Sequence, residues 1–461
     1  MRPVVLFLLI LVLTTLRVDA QTHNDDCKDQ VDPSAAVEED RISGLRYSCL
    51  RVDGRRVLVA EAGEAARPAV LLIHGLGNNG HRDWRSTYPV LARQFHVIAL
   101  DLPGFGASDP LAGGYSFEQL DAALLAVTAQ LSLRRFSLVG HSLGGAVSLY
   151  FASRHPERIE RLVLVDTAGV LLQQVFTRQL IDANRSTGSA ALDGLISVLG
   201  ANSESVIDLV ESQLDLSSWL MANPAMADAL FGTPIHVDAA LGLVKHDFTA
   251  ALRTIHAPTM ILWGSDDRVT LPRTGELLAG RLADARLQII AGARHMPMTE
   301  TPDEFNRALV AGLADSLPQR RPLTVSGASQ GDVSCANRSD AVYSGVYARL
   351  SLSNCPNARI ENARAREISV DNSSVTLKHV TVESDGVALQ VHNSTVTATV
   401  IDLSGKVALR ASASRLDLAG AQLRARERSV DVTSPSRIYF SVSEIDGPDY
   451  RGDAHFVWPP R

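Results

Sequence analysis

The stretch that most constrains this chain is Ser137-Leu-Val-Gly-His-Ser-Leu-Gly-Gly-Ala-Val-Ser-Leu149. Phe136 to Val139 is short and apolar, as a buried strand requires, and Gly145 to Arg154 is rich in small and apolar residues, as a packed helix requires. Between them, Gly140-His-Ser-Leu-Gly144 flanks Ser142 with glycines on both sides, the pattern of a sharp strand-to-helix turn. Such a turn lifts the serine hydroxyl out of the sheet and sets it over a helix N-terminus, where developing negative charge is stabilised. The competing reading is a chance match in a glycine-rich turn. The rest of the chain therefore has to supply a base and an acid.

Strand-like runs precede this turn at Leu45–Leu50, Arg56–Glu61, Ala69–His74 and Val97–Leu100, with a helical stretch at Phe117–Gln130. Further strands follow at Leu162–Val165, Thr259–Trp263 and Leu287–Ile290. Strands alternating with helices predict a mostly parallel sheet covered on both faces. From 169 to 250 the strand signal vanishes and an apolar helical pattern takes over, which predicts a helical cap inserted over the strand ends. Ligands bind at those ends in open α/β sheets.

The first residues, Met1-Arg-Pro followed by an apolar run from Val4 to Leu13 and by Val18-Asp-Ala20, have the form of a secretory signal over residues 1–20. The run is too short to span a bilayer, which takes about 20 apolar residues. The expectation is a secreted or periplasmic protein without a membrane anchor once the signal is cleaved. The cysteines agree, falling as two local pairs that predict the disulfides Cys27–Cys49 and Cys335–Cys355. Neither pair has zinc-ligand spacing with nearby histidine, so no metal is expected. A net charge of −7 gives no reason to expect a nucleic-acid partner.

Beyond residues 319–324, an expected linker, helical spacing stops and a repeat appears. Segments beginning at Val370, Val391, Ala411 and Val432 are alike and are offset by 21, 20 and 21 residues. That period, with alternating apolar residues, predicts a right-handed β-helix-like domain over 325–461. Asn372 and Asn393 share a phase, as an asparagine stack in a turn requires. This region balances 15 Lys/Arg against 15 Asp/Glu, so no field of either sign selects a polyanion. Polysaccharide binding, self-association and shielding of the core all remain open as its role.

Five motifs occur together: the elbow Gly-His-Ser-Leu-Gly-Gly, His74-Gly-Leu-Gly, Asp101-Leu-Pro-Gly-Phe-Gly-Ala-Ser, Trp263-Gly-Ser-Asp-Asp-Arg, and Gly292-Ala-Arg-His-Met-Pro. In these motifs and their order, residues from about 41 to 318 resemble the α/β-hydrolase superfamily, in its cap-bearing branch of esterases, lipases and C–C bond hydrolases. The resemblance implies an α/β core over 41–168 and 251–318, preceded by a polar lead-in at 21–40. It does not extend to the repeats.

A serine hydroxyl is a weak nucleophile until a positioned base removes its proton. His295 follows a late strand, in a loop that returns above the elbow. An acid must orient that imidazole; the family motif marks Asp267, with Asp266 and Asp166 as alternatives. The order Ser142, Asp267, His295 is that of this fold. The oxyanion hole is expected from the backbone N–H groups of Leu76 and Leu143. His74 and His141 are expected to be hydrogen-bonded structural residues, and Asp101 and Asp109 to cap turns. Serine at the elbow disfavours the epoxide hydrolases and dehalogenases of the superfamily, which use aspartate there. His141 and Met296, where C–C hydrolases carry other residues, favour ester cleavage.

The expected activity is thus hydrolysis of a small-molecule or lipid-like carboxylic ester, without a cofactor. The alternatives are C–C bond hydrolysis by the same residues, or a polysaccharide-binding or scaffolding protein whose hydrolase domain is inactive.

Overall fold

The computed structural model describes residues 42, 44–112, 114–172, 175, 234–314 and 325–460. The predicted signal, Cys27, the linker 319–324 and most of the predicted cap lie outside these residues.

The first body is an eight-stranded sheet in the order β1-β2-β4-β3-β5-β6-β7-β8. Its strands are β1 (Arg46–Val52), β2 (Arg55–Ala62), β3 (Ala69–Ile73), β4 (His96–Leu100), β5 (Phe136–His141), β6 (Ile159–Val165), β7 (Thr259–Gly264) and β8 (Ala285–Ile290). β1 and β2 run antiparallel to their neighbours, and the six from β4 to β8 are parallel. The period of two divides the apolar side chains between two cores. Leu71, Ile73, Leu138, Leu162 and Ile261 face one layer; Val70, Leu72, Val139, Val163 and Met260 face the other.

Helices α1 (Tyr88–Leu91), α2 (Phe117–Gln130), α3 (Leu143–Arg154), α4 (Pro234–Lys245), α5 (Thr249–Thr254), α6 (Pro272–Arg281), α7 (Pro297–Glu300) and α8 (Pro302–Leu313) surround this sheet. α2 and α3 contribute to the first layer through Leu120, Leu124, Val147 and Phe151. α1 and α8 contribute to the second through Tyr88, Leu91, Phe305 and Leu309. Local signals set their starts. Ser116 and Gln119 close a reciprocal capping box ahead of α2, and proline stands in the first turn of α1, α6, α7 and α8. The parallel strands all end on one side, where Ile73, Leu100, His141, Val165, Gly264 and Ile290 hand over to loops. Ser142, Asp267, His295 and Leu76 lie in those loops, and Leu143 opens the helix that follows one of them.

The second body is a stack of parallel strands: β9 (Asp332–Ala336), β10 (Val342–Ser353), β11 (Ala358–Asp371), β12 (Ser374–Glu383), β13 (Val387–His392), β14 (Thr395–Ser412), β15 (Arg415–Val432), β16 (Arg437–Ser441) and β17 (Ser443–Asp446). Antiparallel β18 (Arg451–Ala454) and β19 (Val457–Trp458) close one end. This is the β-helix-like architecture expected from the repeat. The four repeat starts are register partners, Val370 with Val391, Val391 with Ala411, and Ala411 with Val432.

The ladder also extends further back than the repeat indicated. Leu352 pairs with Val370, and Cys335 with Leu352. Those coils are shorter than the later ones, so a fixed period near 20 misses them. The asparagine stack is present: Asn393 donates to the Asn372 side chain at 3.0 Å, and Asn372 donates in turn to Asn354. All three have positive φ, a conformation asparagine tolerates better than most residues.

Cys335 and Cys355 form a disulfide. Cys49 is disulfide-bonded as well, its expected partner Cys27 lying outside the described residues. No helix among the described residues is long and apolar enough to cross a membrane.

Candidate active site

Ser142 stands between β5 and α3 with φ 51° and ψ −115°. A non-glycine residue held at positive φ stores strain that the surrounding structure has to over-determine. The surroundings do so by close contact. A Cβ on Gly144 would lie 2.4 Å from the carbonyl oxygens of Ile73 and His74, and one on Gly75 would lie 2.7 Å from His141 Nδ1. The elbow and the loop after β3 therefore touch backbone to backbone. That contact brings Leu76 to the same strand-end region as Leu143. Leu143 is the first residue of α3, whose opening N–H groups have no partner within the helix.

The three residues expected to act together are joined. His295 Nε2 lies 3.0 Å from Ser142 Oγ, and His295 Nδ1 lies 2.8 Å from Asp267 Oδ2. Asp267 sits in the turn after β7 with a fully buried side chain. Its Oδ1 accepts the backbone N–H groups of Val269 and Thr270 at 2.8 and 3.0 Å. Burial pushes its carboxyl up, but the neighbouring His295 and the Thr270 hydrogen bonds outweigh that, and it is held below the ordinary aspartate value.

The Thr270 hydroxyl was not singled out from the sequence. It lies 2.7 Å from Asp267 Oδ2, 3.1 Å from the Asp166 carbonyl and 3.3 Å from His295 Nδ1. The signal that could have found it is Asp-x-x-Thr at a strand end, where an aspartate caps the backbone two and three residues on.

The two alternative acids lie elsewhere. Asp266 is exposed, and its side chain meets Ser265 Oγ. Asp166 is fully buried at the end of β6, with Oδ1 accepting the Gly264 N–H at 2.9 Å. Burial, and then the charge of Asp267, push its carboxyl well above the ordinary 3.8. The unfolded chain releases this proton near 3.8 while the folded chain keeps it, so stability falls as pH rises from that value through the folded one. Asp166→Asn is therefore expected to raise Tm at pH 7. The gain should shrink as pH falls and vanish below 3.8, which thermal melts of both proteins across that range would check.

His141 and His74 are structural. His141 Nε2 donates to the His295 carbonyl at 2.7 Å, tying the elbow strand to the loop that carries His295. Burial and the nearby His295 lower its pKa to about 3, so it is neutral at working pH. His74 Nε2 accepts the Leu102 N–H at 2.9 Å, and its Nδ1 meets the Gly75 carbonyl at 2.7 Å. Asp101 does more than cap a turn. It accepts the His81 N–H, approaches His81 Nδ1 at 2.8 Å and accepts the Ala107 N–H at 2.8 Å, pinning the loops after β3 and β4 together. Asp109 pairs with Arg56 on β2.

The hydrolase portion of the chain is similar to known proteins. A family model for the alpha/beta hydrolase fold matches residues 68–302. The pimeloyl-[acyl-carrier protein] methyl ester esterase of Neisseria meningitidis is 32% identical over 268 residues, 55% of this chain and 80% of its own length. The 2-hydroxy-6-oxononadienedioate/2-hydroxy-6-oxononatrienedioate hydrolase of Paraburkholderia xenovorans is 28% identical over 274 residues, covering 55% and 89%. A solved membrane phospholipase A is 26% identical with a TM-score of 0.48, covering 67% of this chain and 96% of that one. With the sheet order, the strained serine at the β5–α3 turn and a family model that spans half its length, this chain belongs to the α/β-hydrolase fold family.

Proposed function

We propose that the protein is an exported serine hydrolase that cleaves carboxylic esters. The observation that carries this reading is the unbroken link from Ser142 through His295 to Asp267, at 3.0 and 2.8 Å. In this mechanism His295 Nε2 takes the Ser142 proton as Oγ bonds to the ester carbonyl carbon. The N–H groups of Leu76 and Leu143 stabilise the oxyanion. Collapse breaks the bond to the alkoxy oxygen, which leaves with the proton from His295. Water repeats the sequence on the acyl-enzyme and frees the acid. Asp267 holds the imidazole in the tautomer that accepts at Nε2 and stabilises the cation formed there.

The esterase from Neisseria supports an ester as substrate. The Paraburkholderia relative supports a second reading, C–C bond hydrolysis by the same three residues. His141 stands before the nucleophile as a buried strut between elbow and base loop, and Met296 follows the base; both favour the ester. The export expected from residues 1–20 is supported by the Cys335–Cys355 disulfide.

Turnover of p-nitrophenyl esters from acetate to palmitate, alongside a vinylogous ring-cleavage diketo acid, tests the proposal. Ester turnover by the mature protein, with a preferred chain length, is the expected result. Folded protein that cleaves only the diketo acid would establish the second reading. Folded protein that cleaves neither would overturn both and leave a scaffolding or binding role.

A further inference from the structure

We propose that the β-helix-like domain is a positioning device for the catalytic acid, acting through α6, with Arg273 as its principal contact. The inference rests on the assignment of Ser142, His295 and Asp267 above.

The chain runs from Asp267 through Thr270, whose backbone and hydroxyl hold the carboxylate, to Leu271 at the helix cap and then into α6. One side of α6 lies on the sheet. A Cβ on Gly275 would meet the Trp263 ring at 2.8 Å, and Leu278 is fully buried. The opposite side lies on the coils.

Arg273 donates to Thr399 Oγ1 and to the Ala398 carbonyl, both at 2.7 Å, and to the Asp417 carboxylate, with its side chain only 12% exposed. One turn on, Glu276 pairs with Lys378. At the far end Arg281 donates to the Gly420 carbonyl at 2.9 Å, the Ile401 carbonyl at 3.0 Å and Asp402 at 2.8 Å. Two guanidinium groups thus read backbone carbonyls and carboxylates on β14 and β15, a geometry a lysine cannot reproduce.

The coils are deformed where they meet the helix. At one corner of the stack, register-matched Asn362, His379, Val400, Gly420 and Val442 all have positive φ. Asparagine and glycine fit there; a β-branched valine is strained. Gly420 and the two valines are corner residues at hydrolase contacts. Val400 abuts Gly280 so closely that a Cβ there would lie 2.4 Å away, and buried Val442 shares the apolar cluster of Leu171, Leu172 and Leu277. Strain of this kind persists where the surroundings fix it. The corner is therefore built as a docking face for this chain's own hydrolase body.

The test compares Arg273→Ala, Arg273→Lys and Arg281→Met in the full-length protein. Arg273→Ala should lower kcat on the preferred ester about 10- to 100-fold, the size of effect a small misplacement produces, with KM within about twofold. Lysine should not restore it, and Arg281→Met, two turns further from Asp267, should cost less than about threefold. The rate at which a fluorophosphonate labels Ser142 should fall by the same factor as kcat, and the downfield proton resonance of His295 Nδ1–H should shift.

Labelling and resonance do not depend on the substrate class. Wild-type protein that shows neither sinks the assignment of the three residues and the positioning with it. Normal wild-type labelling with an unchanged rate in folded Arg273→Ala overturns the positioning, as does an equal loss in the Arg273 and Arg281 variants. Should Arg273→Ala fail to fold, Asp417→Ala removes the carboxylate from the coil side; a wild-type labelling rate in it overturns the proposal and a several-fold loss supports it.

Discussion

Ser142→Ala is expected to lower kcat on the preferred p-nitrophenyl ester by about 10⁴-fold or more, with KM little changed. Alanine keeps the small volume of the side chain and removes only the oxygen that lies 3.0 Å from His295 Nε2. It also relaxes nothing in the backbone, because Ser142 is held at φ 51° by contacts that do not involve its side chain. Substrate binding should therefore survive and covalent chemistry should not. Absence of an acyl-enzyme in the burst phase of the variant, measured beside circular dichroism to establish folding, would check the result. A variant that keeps more than about a tenth of wild-type kcat would mean that another group attacks the carbonyl.

The second large effect is expected at Asp267. Asp267→Asn should cost about 10⁴-fold in kcat, because an amide at this position can present its NH₂ to His295 Nδ1 and favour the wrong tautomer. Asp166→Asn, at the end of the preceding strand, should change kcat by less than about threefold. Burial and the Asp267 charge push its carboxyl well above the ordinary value, so the surroundings favour its neutral form, which an amide matches in shape. The pair of variants separates the two strand-end acids by kinetics alone. Equal losses, or a larger loss at Asp166, would move the acid to β6 and leave Asp267 as a turn residue.

The site was legible because its chemistry is written in short segments at strand ends. Ser142, Asp267 and His295 each belong to a local pattern with its own backbone reason, and the parallel sheet gathers all three on one side. Thr270 was less visible because a hydroxyl three residues past an aspartate is common in turns without any such role. Asp166 was recognised as a strand-end acid, but its burial depends on β7 packing beside it, and the local sequence says nothing about that.

The same limit applies to the repeats. Their fixed period exposed the later coils, whereas the earlier coils, shortened between Cys335 and Val370, fell outside it. The seam between the two bodies left no trace at all. Arg273, Glu276 and Arg281 look like an ordinary solvated helix face, and their partners lie more than a hundred residues downstream.

A free-standing stack in which each coil touches only its neighbours can gain or lose a unit during evolution with little penalty. This one cannot do so everywhere. Lys378, the Ala398–Asp402 segment and the Asp417–Gly420 segment lie on successive strands β12, β14 and β15; Lys378 meets Glu276, and each of the two segments meets both Arg273 and Arg281 of the same helix. An extra coil between β12 and β15 would displace those partners by one strand spacing, about 4.8 Å, and disconnect part of the set. Duplication or loss is tolerable only toward β9, at the end away from the helix. Descendants of this architecture should accordingly differ in length at that outer end and keep the inner coils in constant number.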